Sequence, residues 1–203
     1  MISSRSDFNL RARRPYSDGF TLMEIVIVVA ILVAVSAMVA PQLMSMVREG
    51  VVFRQADEVR EVMSEARRYA IDTGIDYEFR YELNGPGVVV LPTETELNVD
   101  EDNQSTTTEK YMRLFLELAE DIQLSSGDPL QQPSETLPPE RFGDLNATDL
   151  ASRSWSTPVL FRFDGTAEDF ELKVSDPSLL TSIVSVRGLT GATRTSQVYQ
   201  GEL

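Results

Sequence analysis

The chain of 203 residues contains no cysteine and no histidine. Without cysteine a disulfide framework is excluded, and without histidine the chain lacks histidine-dependent triads, histidine metal sites and the commonest general base. Lysine is also scarce, since Lys110 and Lys173 are its only two examples. The sequence also contains no glycine-rich phosphate loop and no spaced pair of acids that could take over the role of the missing catalytic residues. These absences predict a protein that is not an enzyme and that holds no cofactor and no metal.

Positive charge is scarce beyond the first residues. The formal net charge is −14, yet residues 1–19 carry four arginines against two aspartates, so the remainder carries −16. Such a surface repels nucleic acid and anionic lipid, and we predict no nucleic-acid partner. It is suited to cations or to basic protein surfaces. Two acidic stretches, Asp100-Glu101-Asp102 and Asp164 with Asp169, have oxygen ligands for Ca²⁺ but not EF-hand spacing.

A long apolar run follows the arginine-rich start. Residues 20–40 would span about 31 Å as a helix, which matches a hydrocarbon core of roughly 30 Å. Basic residues precede this run and are nearly absent just after it, which predicts a cytoplasmic N-terminus and a C-terminal domain across the membrane. One acid, Glu24, lies just inside the run. A carboxylate at the centre of a membrane helix costs roughly 2.5–3.5 kcal/mol, and less near the interface, so a partner is expected.

Three other interpretations fit the same N-terminal residues. The arginines, an apolar stretch and Val35-Ser36-Ala37 resemble a cleaved secretory signal, although Glu24 and helical periodicity beyond the cut argue against it. A plain membrane anchor is the second interpretation. The third is a twin-arginine signal at Arg13-Arg14, which has no supporting pattern.

Helical periodicity continues beyond the apolar run. Apolar residues alternate spacings of four and three with charged residues between them; they are Val52, Ala56, Val59, Met63, Ala66 and Ala70. We therefore predict one helix from about Phe20 to Asp72, with Gly74 as its C-terminal cap. Pro41 removes a backbone donor and is predicted to kink the helix or mark its exit from the membrane.

The remaining sequence is typical of short strands and loops. A strand from Tyr77 to Leu83, the turn at Asn84-Gly85-Pro86-Gly87 and a strand from Val88 to Leu91 predict a hairpin. Further strands are predicted at 122–125, 159–163, 170–174, 183–186 and 192–199, and a helix at 109–120. The turn Asp164-Gly165-Thr166 would join the strands at 159–163 and 170–174. Long loops are predicted at 92–108 and 126–156, the second pinned by Phe142, Leu145 and Trp155; either loop could contact partners.

The N-terminal motif resembles the class III signal of type IV pilins and pseudopilins. Its matching residues are Gly19-Phe20-Thr21-Leu22-Met23-Glu24, followed by the apolar run and Pro41. Three further stretches together resemble the GspH/FimT branch of minor pseudopilins; they are Glu65–Gly74, Phe161–Thr166 and Leu189–Arg194. Phe163 departs from this pattern, since the family often has proline there.

The resemblance implies processing and assembly. A prepilin peptidase would cut after Gly19 and methylate Phe20, and Glu24 would meet the N-terminal amine of an adjacent subunit. The predicted organisation is a cytoplasmic leader at 1–19, a transmembrane and polymerisation helix at 20–40, an amphipathic helix at 41–73 and a periplasmic β-rich domain at 74–203. The implied fold is α+β and pilin-like.

The function implied by the resemblance is a minor pseudopilin of a type II secretion system, at the tip of a periplasmic pseudopilus. Its partners would be the peptidase, other pseudopilins or pilins and the inner-membrane assembly platform. The alternatives are a FimT-like minor pilin of a type IV pilus and, from another class, a membrane-anchored periplasmic enzyme or binding domain. The chain would reside in the inner membrane before assembly.

Overall fold

A computed structural model describes residues 20–94, 111–127, 134–143 and 145–201, apart from the side chains of residues 41 and 42. The chain divides into two compact units, Met1–Met44 and Ser45–Leu203. Helix α1, Leu22–Thr73, begins in the first unit and ends in the second. The predicted bounds of this helix are confirmed to within two residues.

Within its described residues, the second unit contains α1 from residue 45 onward, a short second helix and nine strands. The strands are β1 Tyr77–Tyr81, β2 Gly87–Pro92, β3 Leu114–Glu117, β4 Gln123–Ser126, β5 Val159–Phe161, β6 Phe170–Ser175, β7 Leu180–Arg187, β8 Ala192–Thr195 and β9 Tyr199–Gln200. Helix α2 is Ala147–Ser152, and a 3-10 turn occupies Pro139–Phe142. The predicted α+β class, with one long N-terminal helix followed by antiparallel sheet, is confirmed.

The strands form two antiparallel sheets. Sheet 1 has the order β3-β2-β1-β5, and sheet 2 has the order β4-β6-β7-β8, with β9 also pairing with β7. The predicted hairpin at 84–87 is confirmed, because Tyr81 pairs with Val88 and Phe79 with Val90. Gly74 ends α1 with a φ of +73°, a conformation that glycine adopts without steric cost, and its N–H donates to the Ala70 carbonyl at 3.0 Å.

The main core lies between α1 and the two sheets. All six apolar residues of the predicted helix stripe, from Val52 to Ala70, are at most 1% exposed. Tyr77, Phe79 and Tyr81 of β1 face the same core and are equally buried. These aromatic side chains therefore form a packing surface for the helix.

A second layer covers the opposite face of sheet 1. Val89 and Leu91 of β2 pack there against residues of the 134–155 segment; these are Leu137, Phe142, Leu150 and Trp155, with Leu145 partly buried beside them. Trp155 is fully buried and its indole N–H donates to the Leu150 carbonyl at 2.9 Å. The prediction that Phe142, Leu145 and Trp155 anchor this segment in the fold is confirmed.

The long loop predicted over 126–156 contains short helical elements among the residues that the structure describes. These residues form the 3-10 turn, helix α2 and a core of their own. The proline-rich sequence hid this layer because short helical turns with few apolar residues carry little periodicity. Residues 95–108 of the other predicted loop lie outside the described residues.

The helix predicted at 109–120 is wrong. Residues 114–117 form β3, an edge strand in which Leu116 pairs with Val88 and Leu114 with Val90. The apolar residues spaced three apart cover too few positions to distinguish a helix from a short strand. Pairing with β2 makes this segment a strand. Residues 109 and 110 lie outside the described residues.

Two strand predictions need correction. β5 and β6 do not form a hairpin, because β5 belongs to sheet 1 and β6 to sheet 2. The turn at Asp164-Gly165-Thr166 closes a tight loop, in which the Arg162 N–H donates to the Thr166 carbonyl, and then leads into the other sheet. The strand predicted at 192–199 is two strands, β8 and β9, both of which pair with β7.

Candidate functional site

The first turn of α1 is organised by Thr21. This residue directly precedes the helix, and its hydroxyl accepts a hydrogen bond from the Glu24 N–H at 3.2 Å. Its carbonyl accepts the first helical hydrogen bond, from the Ile25 N–H at 3.2 Å. Thr21 therefore acts as the N-cap and satisfies a backbone donor that would otherwise be unpaired at the helix start.

This role of Thr21 was missed by the sequence analysis. The signal was present as Thr21-Leu22-Met23-Glu24, which has the Thr-x-x-Glu spacing of a capping box. The cap fixes where the helix begins, and so places Glu24 in the first turn and Phe20 immediately outside it. Phe20 is 77% exposed.

Glu24 is an exposed acid in the first helical turn. Within the described part of the chain its carboxylate makes no hydrogen bond and no ion pair. A carboxylate at a helix N-terminus is favoured by the helix dipole, which amounts to about half a positive charge there. That partial charge is smaller than the full charge of a cationic side chain.

An apolar surface surrounds the start of α1 on both sides of Glu24 in the sequence. Fourteen large apolar side chains between Phe20 and Val39 are 43–82% exposed. The polar Ser36 satisfies its own hydroxyl by donating to the Leu32 carbonyl at 2.7 Å. Among the described residues α1 is the one helix long and apolar enough to cross a membrane. Burying each large side chain contributes about 1.5–3 kcal/mol, so this surface strongly favours lipid or neighbouring apolar helices over water.

Two predicted site residues stay predictions. Gly19 lies outside the described residues. The backbone of Pro41 lies within helix α1, and its side chain is not among those that the structure describes. A kink at this position is therefore still a prediction.

The second unit contains a buried charged network that the sequence analysis did not foresee. Arg80 donates to Glu78 at 3.1 Å, to Glu135 at 2.6 Å and to the Ser156 carbonyl at 3.0 Å. Arg141 donates to the other oxygen of Glu78. The side chains of Glu78 and Arg80 are only 6% and 7% exposed. Strand alternation places both residues on the face of sheet 1 opposite α1, and the second layer covers that face.

The carboxylates of this network are matched by guanidinium groups, since Glu78 pairs with Arg80 and Arg141, and Glu135 pairs with Arg80. A similar arrangement joins Arg153 to Glu82 at 3.0 Å, to Glu117 at 3.2 Å and to Asp149 at 2.7 Å. Both sets of ion pairs tie the 134–155 layer to sheet 1.

The described calcium candidates do not converge. The Asp164 carboxylate accepts from the backbone and hydroxyl of Thr166, and these hydrogen bonds lower the Asp164 pKa. The Asp169 carboxylate accepts from the Gly188 N–H at 2.9 Å. Among the residues that the structure describes, no three acidic, histidine or cysteine side chains are placed to hold a metal. Asp100-Glu101-Asp102 lies outside them.

Comparisons with known proteins give matches in solved structures alone. No family model matches the chain, and no curated protein matches it. A structure of the minor pseudopilin EpsH from the Type 2 Secretion System of Vibrio cholerae matches with a TM-score of 0.44 and 13% identity, covering 70% of this chain and 93% of that chain. A crystal structure of the same pseudopilin matches with a TM-score of 0.45 and 16% identity, covering 76% of this chain and 99% of that chain.

Proposed function

We propose that this chain is a pilin-like minor pseudopilin of a type II secretion system. It is inserted in the inner membrane through residues 20–40, with its N-terminus in the cytoplasm and residues 74–203 in the periplasm. A prepilin peptidase removes residues 1–19 and methylates Phe20. The processed subunit then joins other pseudopilins at the tip of the pseudopilus, through the inner-membrane assembly platform.

One observation carries this proposal. Glu24 is an acid without a partner in the described chain, placed in the first turn of a helix whose exposed side chains up to Val39 are almost all apolar. A plain membrane anchor gains nothing from such an acid, because the carboxylate weakens insertion. A subunit that assembles through its helix does gain, since the acid selects a neighbour that presents a cation at the same depth.

The chemistry of processing supplies that cation. Hydrolysis of the Gly19–Phe20 peptide bond creates an amine on Phe20, and methylation keeps it cationic. A neighbouring subunit that brings this amine to Glu24 forms a pair in a medium of low dielectric constant, where an unpaired charge is strongly disfavoured. Thr21 supports the pairing by capping the helix and so fixing the axial position of Glu24.

The substitution Glu24→Ala tests this role. We expect the variant to be cleaved and inserted normally but to be recovered at least tenfold less in filaments or tip complexes. The matched control is Glu49→Ala, which removes another exposed acid from the same helix and should assemble normally. Normal assembly of Glu24→Ala, or an equal defect in Glu49→Ala, would contradict the proposal.

A further inference from the structure

The hydrogen bond between Thr21 and Glu24 sets how far α1 extends toward the N-terminus. In an α-helix each N–H donates to the carbonyl four residues earlier, so a helix that began one residue sooner would pair the Glu24 N–H with the Phe20 carbonyl. Here the Thr21 hydroxyl accepts from that N–H at 3.2 Å, and α1 begins at Leu22. The hydroxyl of Thr21 therefore occupies the donor that would extend the helix onto Phe20.

Phe20 is consequently held outside the helix. Its backbone is not part of α1, and its side chain is 77% exposed. Among the described residues no N–H donates to the Phe20 carbonyl, and the first carbonyl that accepts a helical hydrogen bond is that of Thr21, from the Ile25 N–H at 3.2 Å. The cap thus leaves the backbone of Phe20 free to pair with another molecule.

Loss of the Thr21 hydroxyl would move the start of the helix. In lipid an N–H group without an acceptor is strongly disfavoured, and the acceptor that helical geometry offers to the Glu24 N–H is the Phe20 carbonyl. The helix would then begin next to the Gly19–Phe20 bond, which the peptidase hydrolyses in the proposed function. A peptidase has to pair with the backbone beside the bond that it cuts, and in a helix those backbone groups are already paired with the next turn.

We propose that Thr21 is a positioning residue for the removal of residues 1–19, because its cap keeps the backbone of Phe20 non-helical and open to the peptidase. This inference rests on the proposed function, which supplies the peptidase. In the hydrolysis the oxygen of water bonds to the Gly19 carbonyl carbon, the C–N bond to Phe20 breaks, and the Phe20 nitrogen takes up a proton. Thr21 touches none of these atoms and acts through the position of the helix start. Any side chain that caps the helix should therefore replace it.

Substitutions at Thr21 separate capping from recognition of the threonine side chain. The full-length chain in detergent is incubated with purified prepilin peptidase, and cleavage is followed by intact mass. Thr21→Val keeps the shape of threonine but removes the cap, which should raise KM about fivefold at unchanged kcat. Thr21→Ser and Thr21→Asn keep a capping oxygen, so their KM should stay within about twofold of the wild-type value. The control Ser36→Ala removes a hydroxyl of the same helix that donates to the Leu32 carbonyl and caps no N–H, and it should be cleaved like wild type.

The outcomes distinguish this inference from the proposed function on which it rests. If the wild-type chain is cut after Gly19 and Thr21→Val is cut with the same KM, the cap does not control access and the inference is overturned. An increase in KM for Thr21→Asn as large as that for Thr21→Val would also overturn it, because the peptidase would then recognise the threonine side chain itself. Both results leave the proposed function intact. A wild-type chain that is not cut after Gly19 would contradict the proposed function, and this inference with it.

Discussion

The buried network around Arg80 makes a sharp prediction about stability. Arg80→Met removes a cation that contacts Glu78, Glu135 and the Ser156 carbonyl while keeping an unbranched apolar side chain of similar length. Removing one partner from a buried ion pair costs about 3–5 kcal/mol, because the other charge is left buried. Arg141 still binds Glu78 in the variant. We therefore expect the free energy of unfolding to decrease by about 3 kcal/mol, the lower end of this range.

Trp155 provides the assay. It is the single tryptophan of the chain and is fully buried. It also pairs through its backbone with Glu135, whose carboxylate accepts from Arg80. Urea unfolding of the full chain in detergent, followed by tryptophan emission, therefore reports on the layer that Arg80 holds. A loss of about 3 kcal/mol corresponds to a decrease in melting temperature of about 6–12 °C for a domain of this size.

The control is Arg68→Met. Arg68 contacts Glu65 at 3.4 Å with 59% of its side chain exposed, and an exposed pair of this kind contributes at most about 1 kcal/mol. If Arg80→Met destabilises the chain by no more than Arg68→Met does, the network does not hold the 134–155 layer, and this reasoning is refuted.

Two further predictions concern the core. Met63→Ala should destabilise the second unit by about 2–5 kcal/mol in urea unfolding, since Met63 is fully buried, whereas Met46→Ala, at a 69% exposed position, should leave that free energy unchanged; equal effects would contradict the assigned core. Burial raises the pKa of Tyr81, so the folded state favours the neutral phenol and stability should fall as the pH rises above about 10. In Tyr81→Phe the free energy of unfolding should decrease less between pH 8 and pH 10.5 than it does in the wild-type chain. An equal decrease in both chains would contradict the raised pKa of Tyr81.

Long regular elements could be predicted from the sequence because their periodicity extends over many residues. Six apolar positions at spacings of four and three placed the buried stripe of α1 correctly, and Asn84-Gly85 placed the β1–β2 turn. Over such lengths, a helix and a strand bury different sets of residues. The pattern therefore decides between them.

Short elements could not be predicted in the same way. β3 has four residues and is a strand because β2 offers it an edge, a fact that lies outside its own sequence. Burial of Glu78 and Arg80 likewise depends on the 134–155 layer, which is distant in sequence. The path from β5 to β6 followed tertiary packing, since a turn signal at Asp164-Gly165 does not state which sheet the next strand joins.

The candidate site was predictable in part. Glu24 was identified because an acid inside an apolar run is costly, and the structure places it in the first helical turn without a partner in the described residues. The cap by Thr21 could also have been predicted, because Thr21 and Glu24 have the spacing of a capping box. Cleavage, methylation and assembly involve other molecules, so they remain predictions that the chain alone cannot test.

The most direct test of the account is the mass of the N-terminal peptide of the protein isolated from the membranes of cells that contain the secretion system. The account predicts a mature chain that starts at Phe20 with a methylated amine. A chain that starts at Met38, as cleavage after Ala37 by signal peptidase would produce, or one that keeps residues 1–19, would contradict it.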